Sequence, residues 1–245
     1  MPAPARDHHH SLFYAPPELI RDGRIHFSKD ESAHIVSSLR KAAGEIVAAT
    51  DGAGRRYEAE LEEGGRGGVV ARVTGVELVE PPDVSLTLFQ GMIRPQRMDL
   101  VVEKCVELGV DAIVPLLSER ALERDTGARL TRWNKIAVEA MKQSLRVYLP
   151  EVHPALTFAD ALGRLPGFDI SLVAHRRETA GGFGEGQGIG KGSIGLFVGP
   201  EGGFSDIEIE ALAAGGARTF CLGGARLKSE TAAIAGVALI RRSLR

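Results

Sequence analysis

Two short glycine-containing segments near the C-terminus constrain the fold of this chain more than any other feature. The first, Gly199–Gly203, reads Gly-Pro-Glu-Gly-Gly and directly follows the apolar run Ile194–Val198. The second, Leu222–Ala232, leads into a pattern of apolar residues that predicts a terminal helix. Each segment therefore joins a predicted strand to a predicted helix, as in an open α/β sheet. Such sheets bind ligands outside the carboxyl ends of their strands, where helix N-termini add free N–H groups.

A tight turn without a ligand is the alternative interpretation of Gly199–Gly203. The glycines and the proline remove side-chain bulk and fix one backbone angle, which suits close approach of a ligand to the main chain. Because the second segment has the same character, we favour a ligand site formed by both.

From Val84 onward, predicted strands alternate with predicted helices. Such alternation implies a parallel sheet covered on both faces by helices. Helices are expected at Arg97–Leu108 and Thr131–Arg146, and a capping box at Ser205–Glu208 opens another. The strands are expected at Val84–Gln90, Asp111–Leu116, Phe168–Ala174, Ser193–Val198 and Arg218–Leu222.

The first 80 residues or so follow a different pattern. Four short β-like runs are separated by turn signals, among them Asp51-Gly52, a strong hairpin dipeptide. One helix is expected around Glu31–Lys41, and Pro81-Pro82-Asp83 marks a linker. We therefore predict a small β-barrel domain over residues 1–80 and an α/β domain over residues 81–245.

Composition excludes several classes of protein. The 245 residues are 44% hydrophobic and 25% charged, which is typical of a globular protein. No apolar run approaches the roughly 18 residues needed to span a bilayer, and the N-terminus lacks the apolar region of a signal peptide. Cys105 and Cys221 fall far apart in predicted elements, which argues against a disulfide framework. The sequence thus predicts a cytoplasmic protein with no membrane partner.

Two further motifs have plain interpretations. His8–His10 has no Cys or His partners at the spacing of a structural metal site, so no metal is expected. The glycines of Gly181–Gly192 lead into a strand, whereas a dinucleotide-binding fingerprint follows a strand and opens a helix. We interpret Gly181–Gly192 as a surface loop.

Charge is distributed unevenly along the chain. The net charge is −2, yet residues 120–146 contain seven basic and three acidic residues. A solvated helix face and a phosphate-contacting surface are both consistent with this stretch, since affinity for a polyanion comes from such local clusters.

At the segments Gly199–Gly203 and Leu222–Ala232, the chain resembles the SPOUT superfamily of trefoil-knotted methyltransferases. Specifically, it resembles the RsmE type, the N3-uridine methyltransferases of small-subunit ribosomal RNA. The segments Gly199–Phe204 (GPEGGF) and Leu227–Ala232 (LKSETA) carry the most specific similarity. His34–Arg40, followed by Thr50–Gly52, resembles the family's PUA-like domain, and Met98–Val110 follows its middle section.

The resemblance implies S-adenosylmethionine as the cofactor, bound by three loops of a knot near residues 195–235. Backbone groups hold the adenine and ribose in such folds, so small residues matter there more than charges. A capping or packing role is the alternative for His175. The cofactor-binding residues that the resemblance implies are Ala174, His175, Gly199, Pro200, Glu201, Gly202, Gly203, Leu222, Gly223, Leu227 and Thr231.

The implied reaction is methylation of N3 of a specific uridine in 16S rRNA. Because the imide proton must leave N3, a cation beside the pyrimidine would favour its anionic form. The candidate catalytic residues are Arg226 and Lys228, with Glu230 orienting a cation or capping the helix. The family usually reads Leu-Gly-Pro-Arg-Ile-Leu-Arg-Thr-Glu-Thr-Ala where this chain has Leu222–Ala232. Here the first arginine comes one place late, and the second is Lys228, which keeps the charge but loses bidentate geometry.

The resemblance also implies an obligate homodimer whose RNA site is built from both subunits. Its partner would be 16S rRNA or the small ribosomal subunit, gripped in part by the PUA-like domain. The RNA-contacting residues expected are Arg40, Arg94, Arg97, Arg120, Arg132 and Arg146.

Other functions stay open at this stage. One is a knotted methyltransferase with another target, such as a ribose 2′-hydroxyl on transfer RNA, although the PUA-like domain and LKSETA argue against it. Another is an RNA-binding assembly factor that has lost catalysis, which the altered loop Gly224–Lys228 favours. A nucleotide-dependent oxidoreductase is a weak third, since the chain lacks the strand–glycine–helix unit of that class.

Overall fold

The computed structural model describes residues 11–62, 68–121, 127–175 and 191–244. The chain forms two compact units. Unit 1 comprises Met1–Pro81 and Met141–Leu149, and unit 2 comprises Pro82–Ala140 and Pro150–Arg245. Met141–Leu149 falls within residues 81–245, the range predicted for the second domain. His8–His10 and most of the glycine-rich stretch at 181–192 lie outside the described residues.

Unit 1 is built on a six-stranded sheet in the order β1-β4-β5-β6-β3-β2. β1 pairs with β4 in parallel and the other pairs are antiparallel. The four predicted β-like runs correspond to β3 to β6, and Asp51-Gly52 lies in the β4–β5 connection, as predicted. The strands are β1 (Leu12–Tyr14), β2 (Ile20–Arg21), β3 (Arg24–His26), β4 (Ile46–Thr50), β5 (Arg55–Leu61) and β6 (Val70–Leu78).

The helix predicted at Glu31–Lys41 is shorter than expected. Helix α1 (Lys29–Ala33) begins after Ser28, whose Oγ accepts a hydrogen bond from the Glu31 amide at 3.2 Å. The chain then widens into one π-helical segment, His34–Ser38. Arg40 follows in the left-handed region with φ of 53°. The regular helix therefore ends well before Lys41, and the prediction was wrong about its length.

Backbone contacts explain why Met141–Leu149 groups with unit 1. The Val147 carbonyl accepts hydrogen bonds from Thr50 Oγ1 at 3.2 Å and from the Gly54 amide at 3.0 Å. The Tyr148 hydroxyl donates to the Val79 carbonyl at 2.8 Å. Sequence patterns carry no signal for such pairings between distant segments.

Unit 2 contains a parallel sheet in the order β10-β8-β7-β12-β11-β13, with β9 paired to β8. This confirms the predicted mixed α/β fold with a parallel sheet. The two-residue strands β9 and β10 and the short helix α4 were missed, because such short elements leave no periodic signal. The strands are β7 (Val84–Gly91), β8 (Ala112–Leu117), β9 (Glu151–Val152), β10 (Leu156–Thr157), β11 (Ile170–Ala174), β12 (Gly192–Val198) and β13 (Arg218–Phe220).

The other helices lie between or after the strands of unit 2 in the sequence, and the end of α3 belongs to unit 1. Helix α2 buries Met98, Val101, Val102 and Cys105, and burial raises the pKa of the Cys105 thiol. The predicted capping box is present at α5: Ser205 Oγ accepts from the Glu208 amide, and Glu208 accepts from the Ser205 amide. The helices are α2 (Pro95–Glu107), α3 (Ala128–Gln143), α4 (Phe158–Leu162), α5 (Asp206–Ala214) and α6 (Ser229–Ser243).

Aromatic packing holds the centre of the unit 2 sheet. The rings of Phe89 on β7 and Phe197 on β12 stack with centroids 4.3 Å apart, and Phe168 meets Phe89 edge to face at 5.6 Å. This core fixes β12 beside β7, so that the segment after Val198 leaves the sheet at a defined place. Within the described ranges, no helix is long and apolar enough to cross a membrane.

Candidate functional site

A cavity of about 420 Å³ lies at the carboxyl ends of β11, β12 and β13. Its volume falls in the range of roughly 300–1,000 Å³ that is usual for small-molecule sites. Three connections form its walls: the one after β11, the Gly199–Gly203 turn after β12, and the Leu222–Leu227 loop after β13. In the sheet, β11 lies between β12 and β13, although β13 follows β12 in the chain. The parallel sheet thus brings distant loops to one edge.

The Gly199–Gly203 turn has no room for side chains at its start. A Cβ atom on Gly199 would lie 2.7 Å from the Phe204 amide nitrogen, and one on Gly91 would lie 2.5 Å from Pro200 N. Gly203 adopts φ of +70°, and its amide donates to the Pro200 carbonyl at 2.8 Å. Glycine is therefore required here by packing and by backbone conformation.

A chain of buried hydrogen bonds fixes this turn to the start of α6. Gln90 Nε2 donates to Ser229 Oγ at 2.9 Å, and the Ser229 hydroxyl donates to the Gly199 carbonyl at 2.5 Å. Gln90 is fully buried, and Ser229 is 6% exposed and lines the cavity. Neither residue was predicted to belong to the site, although Ser229 lies in the Leu227–Ala232 segment and Gln90 is a polar residue at the end of an apolar strand.

The Leu222–Leu227 loop forms an exposed wall. Gly223 has φ of +140°, and the Cys221 thiol donates to its carbonyl at 3.1 Å. Arg226 is exposed and lines the cavity. Opposite this loop, Ala174 and His175 line the cavity at the end of β11, and the His175 amide donates to the Phe220 carbonyl at 3.0 Å.

The structure brings most of the predicted ligand-binding residues together. Arg226 lines the cavity wall, whereas Lys228, Glu230 and Thr231 do not. Lys228 is exposed and immediately precedes α6, while Glu230 is buried in its first turn. Of the residues predicted to bind cofactor, the wall contains Ala174, His175, Gly199, Pro200, Glu201, Gly202, Gly203, Leu222, Gly223 and Leu227.

Some residues of the wall were not predicted. Apart from Ser229, they include Phe204, Asp206 and Cys221. Phe204 and Asp206 follow the glycine turn directly, so proximity in sequence was an available signal. Cys221 directly follows β13, and only the strand order places it beside the turn.

One arginine faces two acidic side chains: Glu201, which lines the cavity, and Glu230, which lies in the first turn of α6 beside it. Arg97 Nη1 lies 3.5 Å from Glu201 Oε1, and Arg97 Nε lies 3.7 Å from Glu230 Oε1. Both carboxylate oxygens of Glu201 and Oε2 of Glu230 are buried without a hydrogen-bond partner. The site therefore contains buried acceptors that its described residues leave open.

The other arginines that were predicted to contact RNA occupy different places. Arg120 lines the cavity and donates to the Gly202 and Phe204 carbonyls at 3.2 and 3.4 Å. Arg132 pairs with Asp99 at 2.7 Å, and these hydrogen bonds raise the pKa of Arg132 above its ordinary value. Arg94 is exposed at the N-cap of α2. In unit 1, Arg40 is exposed and Arg146 is half-buried.

The residues that the structure describes contain no group of three or more His, Cys, Asp or Glu side chains placed to hold a metal ion. The site is made mainly of backbone groups, small residues and a few charged side chains. Such a surface suits a ligand that is recognised by close approach to the main chain.

Comparison with known proteins gives this site a family context. Residues 80–241 match the family described as RNA methyltransferase domain, and residues 27–74 match the RNA methyltransferase PUA domain. The chain is similar to the Ribosomal RNA small subunit methyltransferase E of Mycobacterium tuberculosis, with 32% identity over 213 residues, covering 83% of this chain and 80% of the relative.

Solved structures of relatives have the same fold. A Ribosomal RNA small subunit methyltransferase E from Neisseria gonorrhoeae, bound to S-adenosyl methionine, is similar with a TM-score of 0.86 and 30% identity, covering 96% of this chain and 98% of that one. A probable rRNA-methyltransferase from Porphyromonas gingivalis has a TM-score of 0.81 and 32% identity, with the same coverage of both chains. With its loop-lined cavity and both domain matches, this chain belongs to the RNA methyltransferase family.

Proposed function

We propose that this protein transfers a methyl group from S-adenosyl-L-methionine to N3 of a specific uridine in 16S rRNA. The observation that carries the proposal is the cavity at the ends of β11, β12 and β13, in a chain of the RNA methyltransferase family. Relatives named Ribosomal RNA small subunit methyltransferase E support the substrate, and the relative bound to S-adenosyl methionine supports the cofactor.

The residues of the cavity fit this cofactor. Gly203 and Gly223 line the cavity, and a Cβ atom on either would meet nothing within 4 Å, so a ligand can lie against the main chain there. The wall is made mainly of backbone groups and small residues, which can form hydrogen bonds with hydroxyl or amino groups of a nucleoside. When bound, S-adenosyl-L-methionine supplies a methyl group already activated on a sulfonium, so no metal is needed for the transfer.

The protein's own contribution is to place and polarise the base. N3 of uridine is paired in a duplex, so the base must leave the stack to reach the site. Arg226, on the cavity wall, would favour the anionic pyrimidine, and Lys228 would add a second cation near the start of α6. Much of the rate would come from holding the nitrogen in line with the methyl group.

We infer three further features from the family. The segment near residues 195–235 forms the trefoil knot, residues 1–80 form a PUA-like barrel that grips rRNA, and the protein acts as a homodimer. Arg40, Arg94, Arg120, Arg132 and Arg146 are the proposed phosphate contacts. The match of residues 27–74 to the PUA family supports the second of these features.

The test is transfer to a defined substrate. The purified protein is incubated with S-adenosyl-L-methionine and small ribosomal subunits from a strain that lacks its own enzyme, and the digested RNA is analysed by nucleoside mass spectrometry. We expect N3-methyluridine. A different methylated nucleoside would show that the protein modifies another target in the RNA. Cofactor binding by calorimetry without any methylated product would favour an RNA-binding factor that has lost catalysis.

A further inference from the structure

Arg97 lies where three elements of unit 2 meet. It occupies the first turn of α2, while Glu201 belongs to the turn after β12 and Glu230 to the first turn of α6. Its guanidinium lies 3.5 Å from one carboxylate and 3.7 Å from the other. One cation therefore faces two acidic groups that are 29 residues apart in the sequence.

These carboxylates need a counter-charge to stay close together. The Glu230 side chain is 10% exposed and that of Glu201 is 21% exposed, so water screens their mutual repulsion poorly. Both distances to Arg97 exceed the 2.7–3.2 Å or so of an N–H···O hydrogen bond. The guanidinium therefore balances the negative charge of both carboxylates without donating a short hydrogen bond to either. Both oxygens of Glu201 and Oε2 of Glu230 are buried without a hydrogen-bond partner.

We propose that Arg97 is a positioning residue of the methyl-transfer site. Its charge holds Glu201 and Glu230 together, which keeps the Gly199–Gly203 turn against the start of α6. Glu201 lines the cavity, so holding its side chain in place also holds the wall against which the cofactor binds. This assignment rests on the proposed function and replaces the phosphate contact expected for Arg97 from the sequence, because two carboxylates already engage its charge.

Without the guanidinium, the carboxylates repel each other and the turn shifts. We expect R97M to bind S-adenosylhomocysteine several-fold more weakly and to lower kcat by up to about a hundredfold, the scale expected when a reacting group is displaced by an ångström. Affinity for small ribosomal subunits should change by less than about twofold, and its dependence on salt should stay the same. R97K, which keeps the charge, should recover most of the loss.

The matched control is Q96M, which places the same side chain on an exposed neighbour in the same turn of α2. Affinity for S-adenosylhomocysteine is measured by calorimetry, and affinity for small subunits by filter binding at two salt concentrations. The proposal is overturned by an R97M protein that binds the nucleoside like Q96M but binds subunits more weakly, with a smaller salt dependence. That result would make Arg97 a phosphate contact.

A double-mutant cycle isolates the coupling to Glu230. Removing one carboxylate charge with E230Q relieves the repulsion, so R97M should weaken nucleoside binding at least about threefold less in the E230Q background than in the wild type. Equal effects in both backgrounds would overturn the proposal, and R97Q, which also removes the charge, gives the same comparison if R97M does not fold. Because the cycle is read from binding, it decides the role of Arg97 even if the wild type transfers no methyl group.

Discussion

At the scale of single residues, the site depends first on backbone shape. Gly199 must lack a side chain because the chain turns back on itself there, and a Cβ atom would meet the Phe204 amide nitrogen at 2.7 Å. The obstacle is main chain, which cannot rotate away as a flexible side chain could. Shape at this position therefore controls both the stability of the turn and access to the cavity.

We expect G199A to destabilise the protein by about 1–3 kcal/mol, the usual cost of overpacking, and to weaken binding of S-adenosyl-L-methionine. The measurements are chemical denaturation and calorimetry. The matched control is G167A: Gly167 is exposed, and a Cβ atom there would meet nothing within 4 Å. If G199A bound the cofactor as tightly as G167A, the turn would not be part of the binding site.

The positive charges of Arg226 and Lys228 are expected to matter for the transfer step. Replacing Arg226 or Lys228 with Ala should reduce turnover by roughly a hundredfold, as loss of one group that stabilises developing negative charge does. Cofactor affinity should be spared, because neither side chain is needed for the turn geometry. Single-turnover assays and calorimetry separate the two effects, and unchanged turnover in both variants would remove these residues from the mechanism.

At the scale of secondary-structure elements, α6 is tied to the sheet of unit 2 at both ends. Its start is fixed by Ser229, through the hydrogen bond to the Gly199 carbonyl. Near its end, Arg241 donates to the Gly109 carbonyl at 2.9 Å and the Val84 carbonyl at 2.7 Å, and it pairs with Asp111. The helix thus holds the cavity wall through one end and the beginning of β7 through the other.

R241M should lower the free energy of unfolding by about 3 kcal/mol, because it removes the ion pair with the half-buried Asp111 and the hydrogen bonds to two carbonyls. Urea denaturation measures this change. R242M is the control: Arg242 is exposed on the next position of α6, and its replacement should cost no more than about 0.5 kcal/mol. Equal losses in the two variants would mean that the hydrogen bonds of Arg241 contribute little.

At the scale of the whole molecule, the family match covers both units. Residues 27–74 match the PUA family and residues 80–241 match the RNA methyltransferase family. The proposed homodimer is also a property of the whole molecule, because one chain cannot complete an RNA site that is built from two subunits.

We expect the protein in solution to have twice the 26.2 kDa mass of one chain. Sedimentation equilibrium over a range of concentrations measures this mass, and the activity of dilute samples shows whether the dimer is needed. A fully active monomer would contradict the homodimer and place every reacting group within one chain.

The sequence alone was sufficient for the mixed α/β fold, the parallel sheet and the family. Strands, helices and caps come from local periodicity and from residues such as Gly199 and Ser205, whose conformational preferences act over a few positions. The two glycine segments were informative for the same reason. The prediction was wrong about the length of the helix after Ser28, because a π-helical segment depends on packing that no local pattern encodes.

Only the tertiary structure decided which side chains work together. Gln90 and Ser229 are separated by 139 positions, yet they share a hydrogen bond beside the cavity. The guanidinium of Arg97, a residue predicted to contact RNA, lies 3.5 Å from Glu201 and 3.7 Å from Glu230, and no local pattern indicated these pairings. Strand order within the sheet determines these meetings, and that order results from the packing of the whole core. Local preferences therefore specify the elements, while long-range packing selects the partners of each charged or buried polar group.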